Sequence, residues 1–271
     1  MTEKDVIKRS KRPITCSLLI RDLRQLGLKA GDLVVVHTAM SHIGWVCGGA
    51  LTVIEALQQV LTSEGTLVMP AHSADVSDPA DWSDPAVPDA WLEAIYHEMP
   101  AFDPDRTPTL GMGTVAEVFR NCPDVSRSRH PIYSFAAWGR GRETLLSRHA
   151  LDDGLGMESP LGRIYQRDGR VLLIGVGHGN DTSMHLGEML SGHLEQVSRR
   201  SPVLIHGQRE WVSYRDWDYH EERFPKIGKL FKKTYANTSY FREGFLGDAR
   251  ALLFSQKKIV DFTAHFLKKQ R

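Results

Sequence analysis

The chain predicts an α/β fold with a mixed, largely parallel central sheet flanked by helices. Three observations carry this. Residues 33–36 (LVVV) form a continuous apolar run rich in β-branched residues, as expected of a strand covered on both faces. Residues 15–70 read as helix, strand, loop, helix, strand, and the strand–helix–strand part is the order of a parallel pair joined by a right-handed crossover. A third apolar run, residues 171–174 (VLLI), precedes another helical segment.

Each element has its own signal. Residues 1–12 are polar and fray or join a helix. Leu18, Leu19, Leu23 and Leu26 recur at helical spacing within 15–28, and Gly27 and Gly31 punctuate the end. After the 33–36 strand comes a turn-like stretch, 37–49, holding Gly44, Gly48 and Gly49. Residues 51–61 (LTVIEALQQVL) are helical in period, and 66–69 (TLVM) form a strand that Pro70 closes. Residues 71–105 change character, with nine carboxylates, no Lys or Arg, and five prolines. That stretch is expected to be a long acidic loop region with one short helix at 91–97, and long loops of this kind are commonly lids or binding loops.

A helix at 113–121, a strand at 133–138 and a short helix at 143–148 follow. Asp168-Gly169 is a turn before the 171–174 strand. Residues 182–194 read as a helix capped by Asp181 or Thr182. Residues 199–271 are the basic counterpart of the acidic loop, with sixteen Lys+Arg against eight Asp+Glu. Within them, 203–205 and 210–214 predict a strand pair turning at His206-Gly207, and 249–269 predicts one or two amphipathic helices. No internal repeat is visible.

Composition narrows the function. The 271 residues carry 34 Lys+Arg against 33 Asp+Glu, a net charge of +1, which argues against general binding to nucleic acid or anionic membrane. Hydrophobic content of 41% suits a folded globular protein, read here as a single domain over 1–271 with the acidic 71–105 region inside it. Cys16, Cys47 and Cys122 are odd in number and widely spaced, so a reducing compartment fits better than a disulfide framework. No signal peptide or bilayer-length apolar run is visible, and a cytoplasmic location is expected.

Three constellations can carry chemistry. Residues 37–50 (HTAMSHIGWVCGGA) join a buried strand to a helix, and glycine plus helix N–H groups favour close approach of an anionic ligand. Neither a Walker loop nor a dinucleotide fingerprint is present there, and an ordinary turn is the competing reading. Residues 176–188 (VGHGNDTSMHLGE) leave a strand through a Gly-rich loop into a helix. His185 and Glu188 lie three apart and share a face. That is where open α/β sheets place ligands, although a purely structural histidine is the alternative. His178 with His185 matches no standard zinc spacing, so no metal is expected. Residues 216–223 (DWDYHEER) carry four carboxylates within seven residues. An acid from this segment can orient His185 or meet a cation, unless it is only a solvated loop. No GxSxG elbow supports serine hydrolysis.

Six segments taken in order resemble the aminoglycoside 3-N-acetyltransferase family. They are GDLVVVHTAMSHIGWVCGGALTVIEAL, GTLVMPAHS, DPDRTPTLGMGTVAEVFR, RSRHPIYSFAAWG, ESPLGRIYQRDGRVLLIGVGHGNDTSMHLGE and GDARALLFSQKKIVDF. The resemblance implies an acetyltransferase fold distinct from the compact GNAT fold, with acetyl-CoA and aminoglycoside in a deep cleft. It implies that His185 is the general base, with Asp216 and Asp218 as acidic partners. His37, Thr38, Ser41, Thr107 and Gly113 are implied as the acetyl-CoA surface, and Asp75, Glu188 and Glu222 as contacts for a polycationic substrate. Where the family often reads HSSLS, this chain reads HTAMS, so Thr38 keeps a hydroxyl and Ala39 loses one. Which of Asp216, Asp218 and Glu188 orients His185 stays open, as does monomer against homodimer. Two further readings stand beside this one: a family member acting on a different amine, and a non-catalytic CoA-binding homologue.

Overall fold

The computed structural model describes residues 2–269. Helix α1 (Glu3–Arg9) leads into α2 (Cys16–Leu26). The Thr15 hydroxyl accepts the Leu18 N–H at the start of α2, and Gly27 in the left-handed region closes it. Strand β1 (Leu33–Thr38), helix α3 (Gly49–Leu61) and strand β2 (Thr66–Pro70) form the strand–helix–strand unit, with β1 and β2 parallel. The excursion that follows holds α4 (Leu92–Glu98). Then come α5 (Gly113–Arg120), β3 (Val125–Arg127), β4 (Phe135–Gly139), α6 (Arg142–Leu146) and α7 (Pro160–Gln166). Strand β5 (Arg170–Ile174) and helix α8 (Ser183–Ser191) precede a hairpin of β6 (Gln196–Ile205) and β7 (Gln208–Trp217). Helix α9 (Phe224–Tyr235), β8 (Phe241–Leu246), β9 (Ala249–Ser255) and α10 (Gln256–Lys268) complete the order.

One seven-stranded sheet runs β3-β4-β2-β1-β5-β9-β8, and the β6–β7 hairpin stands apart from it. Its centre is parallel: β1 pairs β2 on one side and β5 on the other. The strands outside that centre, β4, β3, β9 and β8, add antiparallel. The β1 run explains why the centre is buried. Val34 and Val36 pack into the core shared with α2, α3 and α5, whereas Val35 packs into the core shared with α7 to α10. Alternating side chains thus feed two cores, and each buried valine contributes about 1.5–3 kcal/mol.

Two expectations are corrected. Residues 249–255 are a strand, not the first part of a terminal helix, because they pair with β5 from Arg170↔Ser255 to Ile174↔Ala251. The hairpin is longer than the predicted pair, with ten residues in each strand. It grips the acidic excursion. Arg209 donates to the Tyr96 and Met99 carbonyls at 2.9 Å, Trp211 Nε1 donates to the Tyr96 carbonyl at 2.9 Å, and Phe102 bridges to Val203. The acidic and basic blocks of the sequence therefore pack against each other. Because β1, β2 and β5 are parallel, Thr38, Pro70 and Ile174 end at one edge of the sheet. The loops leaving that edge build the site.

Candidate active site

A cleft of about 310 Å³ opens at that edge. His37 and Thr38 enter it from the end of β1, His72 from just past β2, and Asp181 and His185 from the start of α8. Tyr219 and Glu221, from the segment after β7, form another wall. His185 touches three side chains. Its Nδ1–H donates to Glu188 Oε2 at 2.7 Å, the i,i+3 partner on α8. Tyr219 packs against the ring with centroids 5.2 Å apart, and Phe224 does so at 4.8 Å. Glu188 is buried and also accepts the His220 backbone N–H at 3.3 Å. With Nδ1 engaged by a carboxylate, Nε2 is the ring nitrogen left for proton transfer.

Burial holds the other cleft histidines neutral. His37 is pushed down to about 4 by burial, with Asp181 opposing and His185 adding. His72 is pushed down to about 3 by burial, then by His185 and His37. His37 Nε2, His72 Nε2 and Asp181 Oδ2 are buried and make no hydrogen bond to the described residues. Asp181 Oδ1 accepts the Ser183 N–H at 3.2 Å, and Oδ2 lies 3.4 Å from His178 Nδ1.

Neither Asp216 nor Asp218 is the acid on the imidazole; Glu188 occupies that place. Asp216 is fully buried and accepts the Trp217 and Gly154 N–H groups at 2.8 and 3.2 Å, with His130 Nε2 at 4.0 Å. Burial pushes its carboxyl up to about 7 despite those two donors. Asp218 is partly exposed and pairs with Arg199 at 3.3 Å and His220 at 3.5 Å. Glu222 faces a second cavity of about 390 Å³ behind Glu188, with His193 and His220, while its neighbour Glu221 faces the cleft. Asp75 and Thr107 line a third groove of about 550 Å³ beside Trp82. Gly113 begins α5 at φ +82°, and a Cβ there would lie 3.7 Å from the Thr38 carbonyl oxygen. Ser41 sits in a short 3₁₀ turn, where its carbonyl accepts from the Arg9 guanidinium.

The structure thus gathers His37, Thr38 and His185 on the cleft wall with Glu188 bonded behind His185, and leaves Ser41, Asp75, Thr107, Gly113, Asp216, Asp218 and Glu222 off the cleft lining. Sequence reasoning missed His72, Asp181, Tyr219 and Phe224. His72 had a signal, since it lies just past a strand that Pro70 closes. The other three sat in segments read for their histidines and charges.

Comparison with known proteins agrees with this architecture. The aminoglycoside 3-N-acetyltransferase profile matches residues 35–268. The chain is 41% identical to the SPbeta prophage-derived aminoglycoside N(3')-acetyltransferase-like protein YokD of Bacillus subtilis, covering 96% of this chain and 94% of that one. The crystal structure of YokD superposes with a TM-score of 0.94 over 97% of this chain and 96% of that one, at 40% identity. Aminoglycoside N(3)-acetyltransferase IX of Micromonospora chalcea is 34% identical over 98% of each chain. A solved structure described as AAC-IIIb binary with CoASH matches at TM-score 0.82 and 27% identity, covering 96% of this chain and 98% of that one. The chain belongs to the aminoglycoside 3-N-acetyltransferase family.

Proposed function

We propose that this protein transfers the acetyl group of acetyl-CoA to the 3-amino group of an aminoglycoside, with His185 as general base. The observation that carries the reading is His185 in the cleft with Nδ1 fixed by buried Glu188. An aminoglycoside amine arrives largely as ammonium, which has no lone pair for attack. His185 Nε2 takes a proton from it, and Glu188 steadies the imidazolium. The neutral amine attacks the thioester carbonyl directly and backbone N–H groups stabilise the tetrahedral oxyanion; the imidazolium gives its proton to the departing thiolate to form CoASH, and the second amine proton passes to His185 Nε2 and on to solvent as the amide forms. No acyl-enzyme is needed, so both substrates are bound together.

Val176, on the cleft wall, also lines a cavity of about 780 Å³ whose walls carry Arg9, Lys11, His42 and Arg250 together with Asp248. Its basic groups suit the phosphates of CoA. Glu221 supplies negative charge on the cleft wall for a cationic acceptor. The relative from Micromonospora, named for N(3)-acetylation of aminoglycosides, and the neighbour solved with CoASH support the same pair of substrates.

The test is thiol release from acetyl-CoA with a panel of aminoglycosides, followed by NMR of the product. The expected result is turnover with acetylation at the 3-amino group. Turnover confined to other amines, or CoA binding without turnover, overturns the reading.

A further inference from the structure

The segment from Asp216 to Phe224 reads in sequence as a source of acids, but its contacts are of another kind. Tyr219 and Phe224 lie five positions apart and pack on the same imidazole, at 5.2 and 4.8 Å between centroids. The His220 N–H between them donates to Glu188 Oε2 at 3.3 Å, on the same oxygen that holds His185. The segment's root is pinned to the loop before α7. Asp216 accepts the Gly154 N–H at 3.2 Å, and the Tyr219 hydroxyl accepts the Leu155 N–H at 3.0 Å. The segment separates two cavities: Tyr219 and Glu221 line the cleft, and His220 and Glu222 line the cavity behind Glu188.

We propose that this segment is a clamp that positions the His185–Glu188 pair, and that Tyr219 is its principal positioning residue. The clamp rests on the reading of His185 as general base. Its physical basis is restriction of ring rotation. A carboxylate fixes one nitrogen of an imidazole but leaves the ring free to tilt about that bond. Two aromatic rings packed on the imidazole at interplanar angles of 64° and 58° restrict that freedom and hold Nε2 at the angle proton transfer requires, and misplacement by about 1 Å costs up to ~10²-fold in rate. The Tyr133 ring, 5.6 Å away between centroids, packs edge-on against Tyr219 and keeps that ring from rotating away, with the Leu155 N–H bond to the hydroxyl a lesser tether, so Tyr219 acts through His185.

A double-mutant cycle together with a spectroscopic measurement tests this. Tyr219→Leu is expected to lower kcat ~10-fold, with KM for acetyl-CoA and for the amine within about twofold. Glu188→Gln already unfixes the tautomer that the clamp serves to aim, so the double variant is expected to fall little below Glu188→Gln alone. Tyr219→Phe keeps the ring and is expected to stay within about threefold of wild type, which also covers the case in which Tyr219→Leu fails to fold. The downfield ¹H NMR signal of the His185 Nδ1–H, assigned by its loss in His185→Gln, needs no turnover to observe. It is expected to persist in Tyr219→Phe and to broaden away in Tyr219→Leu. Multiplicative loss in the cycle, a rise confined to KM for the amine, a Tyr219→Phe defect as large as that of Tyr219→Leu, or an unchanged Nδ1–H signal in Tyr219→Leu each overturns the clamp. Failure of wild type to transfer acetyl groups would instead strike the proposed reaction, because the NMR comparison stands without it.

Discussion

His185 and Glu188 form a unit because α8 places positions three apart on one face, and the 2.7 Å contact uses that geometry. Removing the imidazole removes the proposed proton acceptor, so His185→Ala is expected to lower kcat by ~10²–10⁴-fold. Steady-state kinetics on purified protein checks this, and near-normal turnover would contradict the role. Glu188→Gln keeps shape but removes the charge that favours the imidazolium and fixes the tautomer. It is expected to cost ~10²-fold or more in kcat, with Tm little changed. The pair was legible in the sequence as two candidates on one helical face. Their relationship was not, because charge composition ranked Asp216 and Asp218 equally. Burial decided the matter: Asp216 is enclosed beside His130, and Asp218 is partly exposed beside Arg199. No linear pattern encodes which acid the fold turns inward.

Elements with a strong local signal were read almost to the residue. The 33–36 run became β1 (Leu33–Thr38), and the Thr15 and Gly27 signals bound α2. Residues 249–255 failed because ARALLFS fits either period, and only pairing with β5 makes it a strand. Strand β8 went unseen because its Arg-Glu-Gly interior suits a sheet edge, where burial is one-sided. Helix α8, which carries His185, shows how packing at this scale bears on the proposed chemistry. Gly187 on α8 faces α10 so closely that an added Cβ would lie 2.6 Å from Thr263 Cβ and 2.8 Å from the Val260 carbonyl oxygen. Alanine has the better helix propensity, by about 1 kcal/mol, yet here it must push two helices apart. Gly187→Ala is therefore expected to destabilise by about 1–3 kcal/mol. It should also lower kcat, since His185 lies two residues earlier on the helix being displaced. Thermal melts and kinetics on one preparation check both, and a raised Tm would show that α10 yields freely.

Across the whole molecule, buried ionisable groups set how stability responds to acid. His37, His72, His130 and His149 are all held well below the ordinary imidazole range, with burial as the largest cause in each. A histidine whose folded pKa is depressed contributes stability that is present above pH ~6.5 and is lost as pH falls toward the folded value. Asp216 has the opposite sign. Its carboxyl is raised to about 7, so its contribution is full below pH ~4 and is lost as pH rises through about 7. Near pH 5 the unfolded chain binds four more protons at the histidines and one fewer at the aspartate, a net of roughly three. At ~1.4 kcal/mol per proton per pH unit, stability should fall by up to ~4 kcal/mol per unit there. Typical total stabilities are about 5–15 kcal/mol, so acid unfolding is expected near pH 4–5. Urea melts at pH 7.5, 6.5, 5.5 and 5.0 measure the slope. Asp216→Asn removes an opposing group, the Asp153 carboxyl being another that burial raises, and should steepen the fall, while relieving the cost of a buried charge at pH 8. A slope unchanged by Asp216→Asn would mean that this carboxyl is already ionised inside the fold, with a cation close enough to hold it so.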